Sequence, residues 1–250
     1  MTVNERLAAL RGWMREEKID AYIIPSSDPH QSEYVADHWK SREWISGFTG
    51  SAGTVVVSAD YAGVWTDSRY FLQGEMETAS SEFELQKMHN QFGNYYRDWI
   101  IDNLSSGQTV AVDGRLFSNG QCDALKKAFD AEGIKFRIDA DGISPTWTDR
   151  AAIPMNEIYV HDAKYAGKTR TERLNEVRVK MAEQKADHHL TTTLDDIGWT
   201  LNIRGTDIDF NPVAVCYLVV SKTDSTLFID KVKVPVAIQN ELKADNISLR

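Results

Sequence analysis

The chain has 250 residues, 42% hydrophobic and 26% charged, with 28 Lys and Arg against 37 Asp and Glu for a net charge of −9. That length suits one large domain or two ordinary ones. The acidic balance argues against nucleic acid as a partner, which needs a basic face, and gives no reason to expect docking on an anionic membrane.

In chain order, MTVNERLAALRGWMREEKID places Leu7, Leu10 and Met14 at helical spacing, which reads as an amphipathic surface helix and not a secretory signal. Cys122 and Cys216 lie far apart with no CxxC, so the expectation is two free thiols in a reducing, cytoplasmic setting. DAYIIPS (20–26) is a strand stopped by Pro25, and a segment containing Trp44 stops at Gly47. TVVVS and GVWTD flank ADYAG, a five-residue turn containing Gly63, and together read as a β-hairpin. FELQKM (83–88) is a strand, NYYRDWIIDNL a helix, TVAVD (109–113) a strand, NGQCDALKKAFDAEG a helix ending at Gly133, and IKFRID a strand. Strands separated by helices of this length define an α/β domain with a mixed sheet flanked by helices.

DGISPTWTDRAAIPMNE (141–157) carries two prolines and no sustained period, so it reads as an interdomain crossing between domains at 1–155 and 156–250. Beyond it, Thr169 and Glu172 form a capping box ahead of an apolar stripe of Leu174, Val177 and Met181, which predicts a helix. The order helix, strand, helix, hairpin then repeats. A helix ends at EQKADHHLTTT, a helix containing Trp199 stops at IRG, and a hairpin runs from VAVCYLVV (213–220) to STLFID. That eight-residue apolar run is far below the roughly 20 residues of a membrane helix and reads as a buried strand. The first domain continues through two further helix–strand units, whereas the second stops at NISLR. A sheet cut there leaves an unpaired edge. The expectation is a partial second domain in a piece of something longer, with an edge that allows a homodimer.

Three motifs could carry chemistry. GFTGSAGT (47–54) opens a Val-rich strand and not a helix, so it is no phosphate loop. Thr49 stands where a nucleophile elbow needs its first glycine, which leaves a tight turn of small residues bounded by Gly47 and Gly53. SSDPHQSEY (26–34) sets Asp28, His30, Ser32 and Glu33 directly after a strand, where α/β folds place sites. A histidine beside a glutamate serves equally well as a loop former. His30, His38, His188 and His189 lack partners at metal-ligand spacing, and neighbours in a strand point to opposite faces. VWTDSRYFLQ (64–73) presents Arg69, whose fork-shaped guanidinium suits carboxylates, amides and carbonyls and cannot act as a base. A hydrogen bond to a charged group contributes about 1.5–3 kcal/mol, on the order of ten- to a hundredfold in affinity, far below an enzyme's whole acceleration. Pattern alone leaves ligand contact and a structural pair with Asp67 both open.

PSSDPHQSEY, WISGFTGSAGTVVVS and GVWTDSRYFLQ, in this order and spacing, resemble the first domain of cytosolic-type Xaa-Pro aminopeptidase (aminopeptidase P), a creatinase/prolidase N-terminal-like domain. LDDIGWTLNIRGTDIDFNPVAVCYLVVS resembles the start of that family's second domain. The resemblance implies two related N-terminal domains followed by a pita-bread catalytic domain, whose dinuclear metal site, commonly manganese, is built from two aspartates, a histidine and two glutamates. It implies removal of the residue that precedes proline at a peptide's N-terminus, by metal-activated water. None of those ligands has a counterpart in this chain, so the implied role is non-catalytic, with no cofactor of its own. Its partners would be a peptide with proline in second place and its own C-terminal catalytic domain. The resemblance makes Arg69 the substrate-binding residue, with Ser68 where glycine often stands and with Asp67 and Tyr70 in support. It also sets His30, Gln31 and the 47–53 turn at the active-site mouth. The alternative is a stand-alone binding module of the same fold.

Overall fold

Thr2 begins the first helix with a reciprocal cap: its hydroxyl accepts the Glu5 N–H at 3.2 Å while Glu5 accepts the Thr2 N–H at 2.7 Å. Helix α1 (Val3–Glu17) buries Leu7, Leu10 and Met14 as the periodicity predicts. In the computed structural model, which describes residues 1–90 and 93–250, residues 1–33 and 38–151 form one compact unit, and residues 34–37 and 152–250 a second.

Unit 1 continues through β1 (Ala21–Ile24), α2 (Ser41–Ser46), β2 (Thr54–Ser58), β3 (Ala62–Asp67), α3 (Phe71–Thr78), β4 (Glu84–Met88), α4 (Tyr95–Asn103), β5 (Thr109–Val112), α5 (Asn119–Ala131) and β6 (Lys135–Arg137). Its six strands lie in the order β4-β3-β2-β1-β5-β6. β2 runs antiparallel to both neighbours, whereas β3–β4, β1–β5 and β5–β6 are parallel. The carboxyl ends of β1, β3 and β5 and the start of β2 therefore share one end of the sheet. Two expectations change here. The hairpin turn is 59–61, and Gly63 lies inside β3, where a Cβ would come 2.7 Å from the Trp65 ring. The stretch after β3 is helical despite Gly74, because α3 packs so closely on β4 that a Cβ on Gly74 would meet Leu85 at 2.6 Å.

Unit 2 contains β7 (Tyr159–Val160), α6 (Ala163–Ala166), α7 (Arg170–Glu183), β8 (His188–Thr191), α8 (Leu194–Leu201), β9 (Ile203–Arg204), β10 (Tyr217–Ser221), β11 (Ser225–Phe228), α9 (Val236–Ala244) and β12 (Ile247–Leu249). Its sheet, β12-β11-β10-β8, repeats the order and the strand senses of β4-β3-β2-β1. The repeat extends to side chains. Thr169 and Glu172 cap α7 as Thr2 and Glu5 cap α1, and Lys18 and Lys185 both close their helices in the left-handed region at φ 58° and 56°. Arg11 Nε donates to Ser58 O at 3.0 Å and Arg178 Nε to Ser221 O at 3.1 Å. Arg6 donates to Trp44 O with its guanidinium 5.4 Å from that ring, and Arg173 does the same to Trp199 at 4.2 Å.

Three expectations for unit 2 also change. The Trp199 helix stops at Leu201, because Asn202 turns left-handed at φ 52° and Ile203 and Arg204 pair with β7. Residues 213–216 are not strand: the Asp207 carboxylate takes the Val215 N–H at 2.7 Å, and Asp207 N donates to Val213 O at 3.3 Å, closing a loop that delays β10 to Tyr217. The NISLR segment pairs in parallel with β11 and corresponds to β4, itself an edge strand of unit 1. The side of unit 2 that departs from unit 1 is that of β8.

Candidate functional site

Asp67 ends β3 and caps the turn that follows. Its Oδ1 accepts the Arg69 N–H at 3.1 Å and Nε at 2.8 Å, while Oδ2 accepts Nη2 at 2.8 Å. The hydrogen bonds from Arg69 hold the Asp67 carboxyl below its ordinary range, and those to Asp67 push the guanidinium above its own. Asp67 is buried, whereas the Arg69 side chain is 60% exposed. The guanidinium lies 5.2 Å from the Tyr70 ring centroid, a cation–π distance. One edge of the fork is thus held by the carboxylate, and Nη1 is left for an outside acceptor.

Tyr70 joins this pair to the glycine turn. Its hydroxyl hydrogen-bonds Ser51 Oγ at 2.7 Å, and its ring meets Phe48 edge-on at 5.9 Å. Gly50 permits this approach, since a Cβ there would stand 2.4 Å from Phe48 and 2.8 Å from Tyr70. The turn is anchored from outside by Glu77, which accepts both the N–H and the hydroxyl of Thr49 at 2.8 and 2.6 Å. From inside it is anchored by Arg42, a residue no sequence pattern marks. Arg42 Nε donates to Ser26 Oγ and Nη1 to Phe48 O, each at 2.6 Å, and Nη2 donates to Gly50 O. Ser26 Oγ in turn donates to Gly53 O at 2.6 Å. All three acceptors of Arg42 are neutral, and burial pushes its pKa down to about 10.

The loop after β1 forms a second group at the same end of the sheet. Asp28 Oδ1 accepts the N–H groups of His30 and Ser32, each at 2.9 Å. His30 is buried, and Gln31, left-handed at φ 58°, donates its amide to Leu116 O at 2.9 Å. Leu116 belongs to another turn that sequence reading passed over. Asp113 ends β5 and accepts the Arg115 N–H at 3.1 Å and its guanidinium at 2.7–3.1 Å, repeating the Asp67–Arg69 geometry. The signal was present in the pair TDSRYF and VDGRLF. Arg115 is further bound by Asp141. The structure therefore brings Arg69, Asp67, Tyr70 and the 47–53 turn into one contiguous cluster. It ties His30 and Gln31 to the end of β5 instead.

Among the described residues, no three His, Cys, Asp or Glu side chains stand together to hold a metal ion, and no helix is long and apolar enough to cross a membrane. Both cysteines are free thiols.

An α/β frame used twice, with an arginine platform at the strand ends of its first copy, defines a class of paired non-identical domains. The chain belongs to the creatinase/prolidase N-terminal domain family, whose models match residues 6–143 and 149–250. It is 38% identical to Xaa-Pro aminopeptidase 1 of Dictyostelium discoideum, covering 97% of this chain and 40% of that protein. It is also 38% identical to aminopeptidase P2 of Arabidopsis thaliana, covering 100% and 36%. The crystal structure of X-prolyl aminopeptidase from Caenorhabditis elegans, described as a cytosolic enzyme with a di-nuclear active site, superposes with a TM-score of 0.94 at 32% identity. That match covers 100% of this chain and 42% of the other. The chain thus spans about two-fifths of the length of these relatives.

Proposed function

We propose that this chain is the non-catalytic N-terminal part of a cytoplasmic, metal-dependent Xaa-Pro aminopeptidase, and that Arg69 contacts a peptide whose second residue is proline. The dinuclear centre, with manganese as the expected metal, belongs to a C-terminal catalytic domain; the described residues here do not fit a metal, and this chain's part is to enclose and hold the peptide. The observation that carries the reading is a comparison of turns. In unit 2, Asp230 Oδ1 accepts the Val232 N–H at 3.0 Å, the same cap that Asp67 gives Arg69, with valine in the arginine's place. The turn needs its aspartate and does without the guanidinium. Arg69 is therefore surplus to the scaffold, is exposed, and is oriented by Asp67 and Tyr70, which suits a fork that reaches outward to a carbonyl or carboxylate. His30, Gln31 and the 47–53 turn shape the rim around it.

The test is Arg69→Ala in the enzyme that carries this chain together with its catalytic domain. The expected result is a fall in kcat/KM for prolyl peptides of about ten- to a hundredfold, with metal content unchanged. Arg69→Val reports on the scaffold and keeps the melting temperature, as Val232 predicts. A specificity constant unaltered for every peptide length would overturn the reading and favour a stand-alone binding module.

A further inference from the structure

The internal repeat shows what unit 1 carries against β1 and unit 2 leaves open against β8. In unit 1, β5 lies parallel to β1, with Ala21 opposite Val110 and Ile23 opposite Val112. Asp20 grips the incoming strand at its first residue: its N–H donates to Thr109 O at 2.8 Å, and its carboxylate accepts Thr109 N at 2.7 Å and Gln108 Nε2 at 3.0 Å. Beyond β6, Trp147 stacks on Trp44 at 5.1 Å.

Unit 2 keeps the receiving half of this arrangement. Asp187 stands where Asp20 stands, one residue before its strand, and points into solvent beside Lys222. Among the described residues, the far edge of β8 pairs with no strand. Leu190, the counterpart of Ile23, is 59% exposed against 1%, and Trp199, the counterpart of Trp44, is 48% exposed against 8%. Between them and α7 runs an apolar groove of about 800 Å³, lined by Val177, Val179, Met181 and Ala186.

We propose that this face is a docking site for a parallel β-strand and the apolar segment that follows it, supplied by the same polypeptide from the three-fifths of the relatives' length that this chain does not span. A second copy is a poorer occupant. Two β8 edges related by a two-fold axis run antiparallel, whereas the Asp20 grip, and so Asp187, serves a parallel neighbour. A bare strand pair would also leave the groove beside Trp199 unfilled. The proposal does not depend on the peptidase reading, because it concerns β-augmentation and not substrate.

The experiment joins to Arg250 the segment that follows the aligned stretch in the Dictyostelium relative, and compares this chimera with the 250-residue chain. Amide hydrogen exchange is read at His188, His189, Leu190 and Thr191, and iodide quenching of Trp199 is read by difference from Trp199→Phe. The expected result is about tenfold or greater slowing of the outward-facing β8 amides in the chimera, with Trp199 shielded. Asp187→Ala should remove part of that slowing in the chimera and change nothing in the shorter chain. Preserved exchange protection in unit 1 shows that the chimera has folded, and the same segment added in trans as a peptide gives a second reading on Trp199. Unslowed β8 amides in the folded chimera, together with no response to the peptide, would overturn the proposal. So would β8 protection that already exists in the shorter chain and rises with its concentration, which would make a second copy the occupant.

Discussion

Arg42→Ala removes a buried cation whose only direct partners are a hydroxyl and two carbonyls. Each charge-assisted bond contributes about 1.5–3 kcal/mol, so three give roughly 5–9 kcal/mol gross. Taking a guanidinium out of water costs several kcal/mol in return. The fall in the Arg42 pKa to about 10 has the sign of that cost. The net loss expected is about 3 kcal/mol, or a melting temperature lower by roughly 6–12 °C for a unit of this size. Arg42→Lys should recover less than half of this, because one ammonium cannot reach Ser26, Phe48 and Gly50 together. Urea unfolding with equal m-values measures the loss, and the Tyr70 and Thr49 NMR shifts report whether the turn has moved. A loss under about 0.5 kcal/mol, within the range of an ordinary surface substitution, with Tyr70 unmoved, would show that Glu77 and Ser26 hold the turn unaided and that Arg42 anchors nothing.

Gly50→Ala places a methyl 2.4 Å from Phe48 and 2.8 Å from Tyr70, and a loss of about 1–3 kcal/mol is expected by thermal unfolding, with Tyr70 displaced in NMR spectra. Lys233→Met leaves the fully buried Asp207 without its cation and should cost about 3–5 kcal/mol, whereas Lys233→Met with Asp207→Asn should cost clearly less. Asp67→Asn should destabilise at pH 5–7. The Asp67 carboxyl is held below 3.8 in the folded state, so its contribution is complete above that value and is lost as pH falls through the lower folded one; urea midpoints of the two proteins should converge in acid. Cys216 is buried, and burial pushes its thiol up to about 12, so a thiol reagent should label Cys122 in the native protein and Cys216 at the rate of unfolding.

What was legible in the sequence was what short-range chemistry decides. Thr2–Glu5 and Thr169–Glu172 announce their helices because both halves of the cap lie within one turn. The apolar runs of β1, β2 and β3 announce strands buried on both faces. Residues 213–216 misread for the opposite reason: their backbone is claimed by Asp207, six to eight residues away, and Asp207 is held in turn by Lys233. Periodicity carries no trace of that. Arg69 could be singled out because it follows its aspartate by two residues at a strand end. Arg42 could not, since its acceptors are backbone carbonyls of a turn that has the same carbonyls whatever its sequence. The TDSRYF and VDGRLF likeness was readable, and it separates a turn that recurs from a residue that is singular.

That separation locates the function within the repeat. Where unit 1 has Arg42 on α2, the matching helix of unit 2 has Ile197, buried with its neighbours. In unit 2 the places of Arg69 and Tyr70 are taken by Val232 and Lys233, and Lys233 turns inward to Asp207 instead of outward to a ring and a cation. The glycine turn gives way to a longer loop closed on that buried pair. Both units keep the Arg–Trp contact, the left-handed helix end and the aspartate cap, which are the features a fold needs to close. The oriented guanidinium, the aromatic ring beneath it and the clamp under the turn occur together in unit 1 and not at the matching positions of unit 2. Parts that serve the frame recur with the frame, so these three, which do not, mark the end of unit 1 that the peptide should meet.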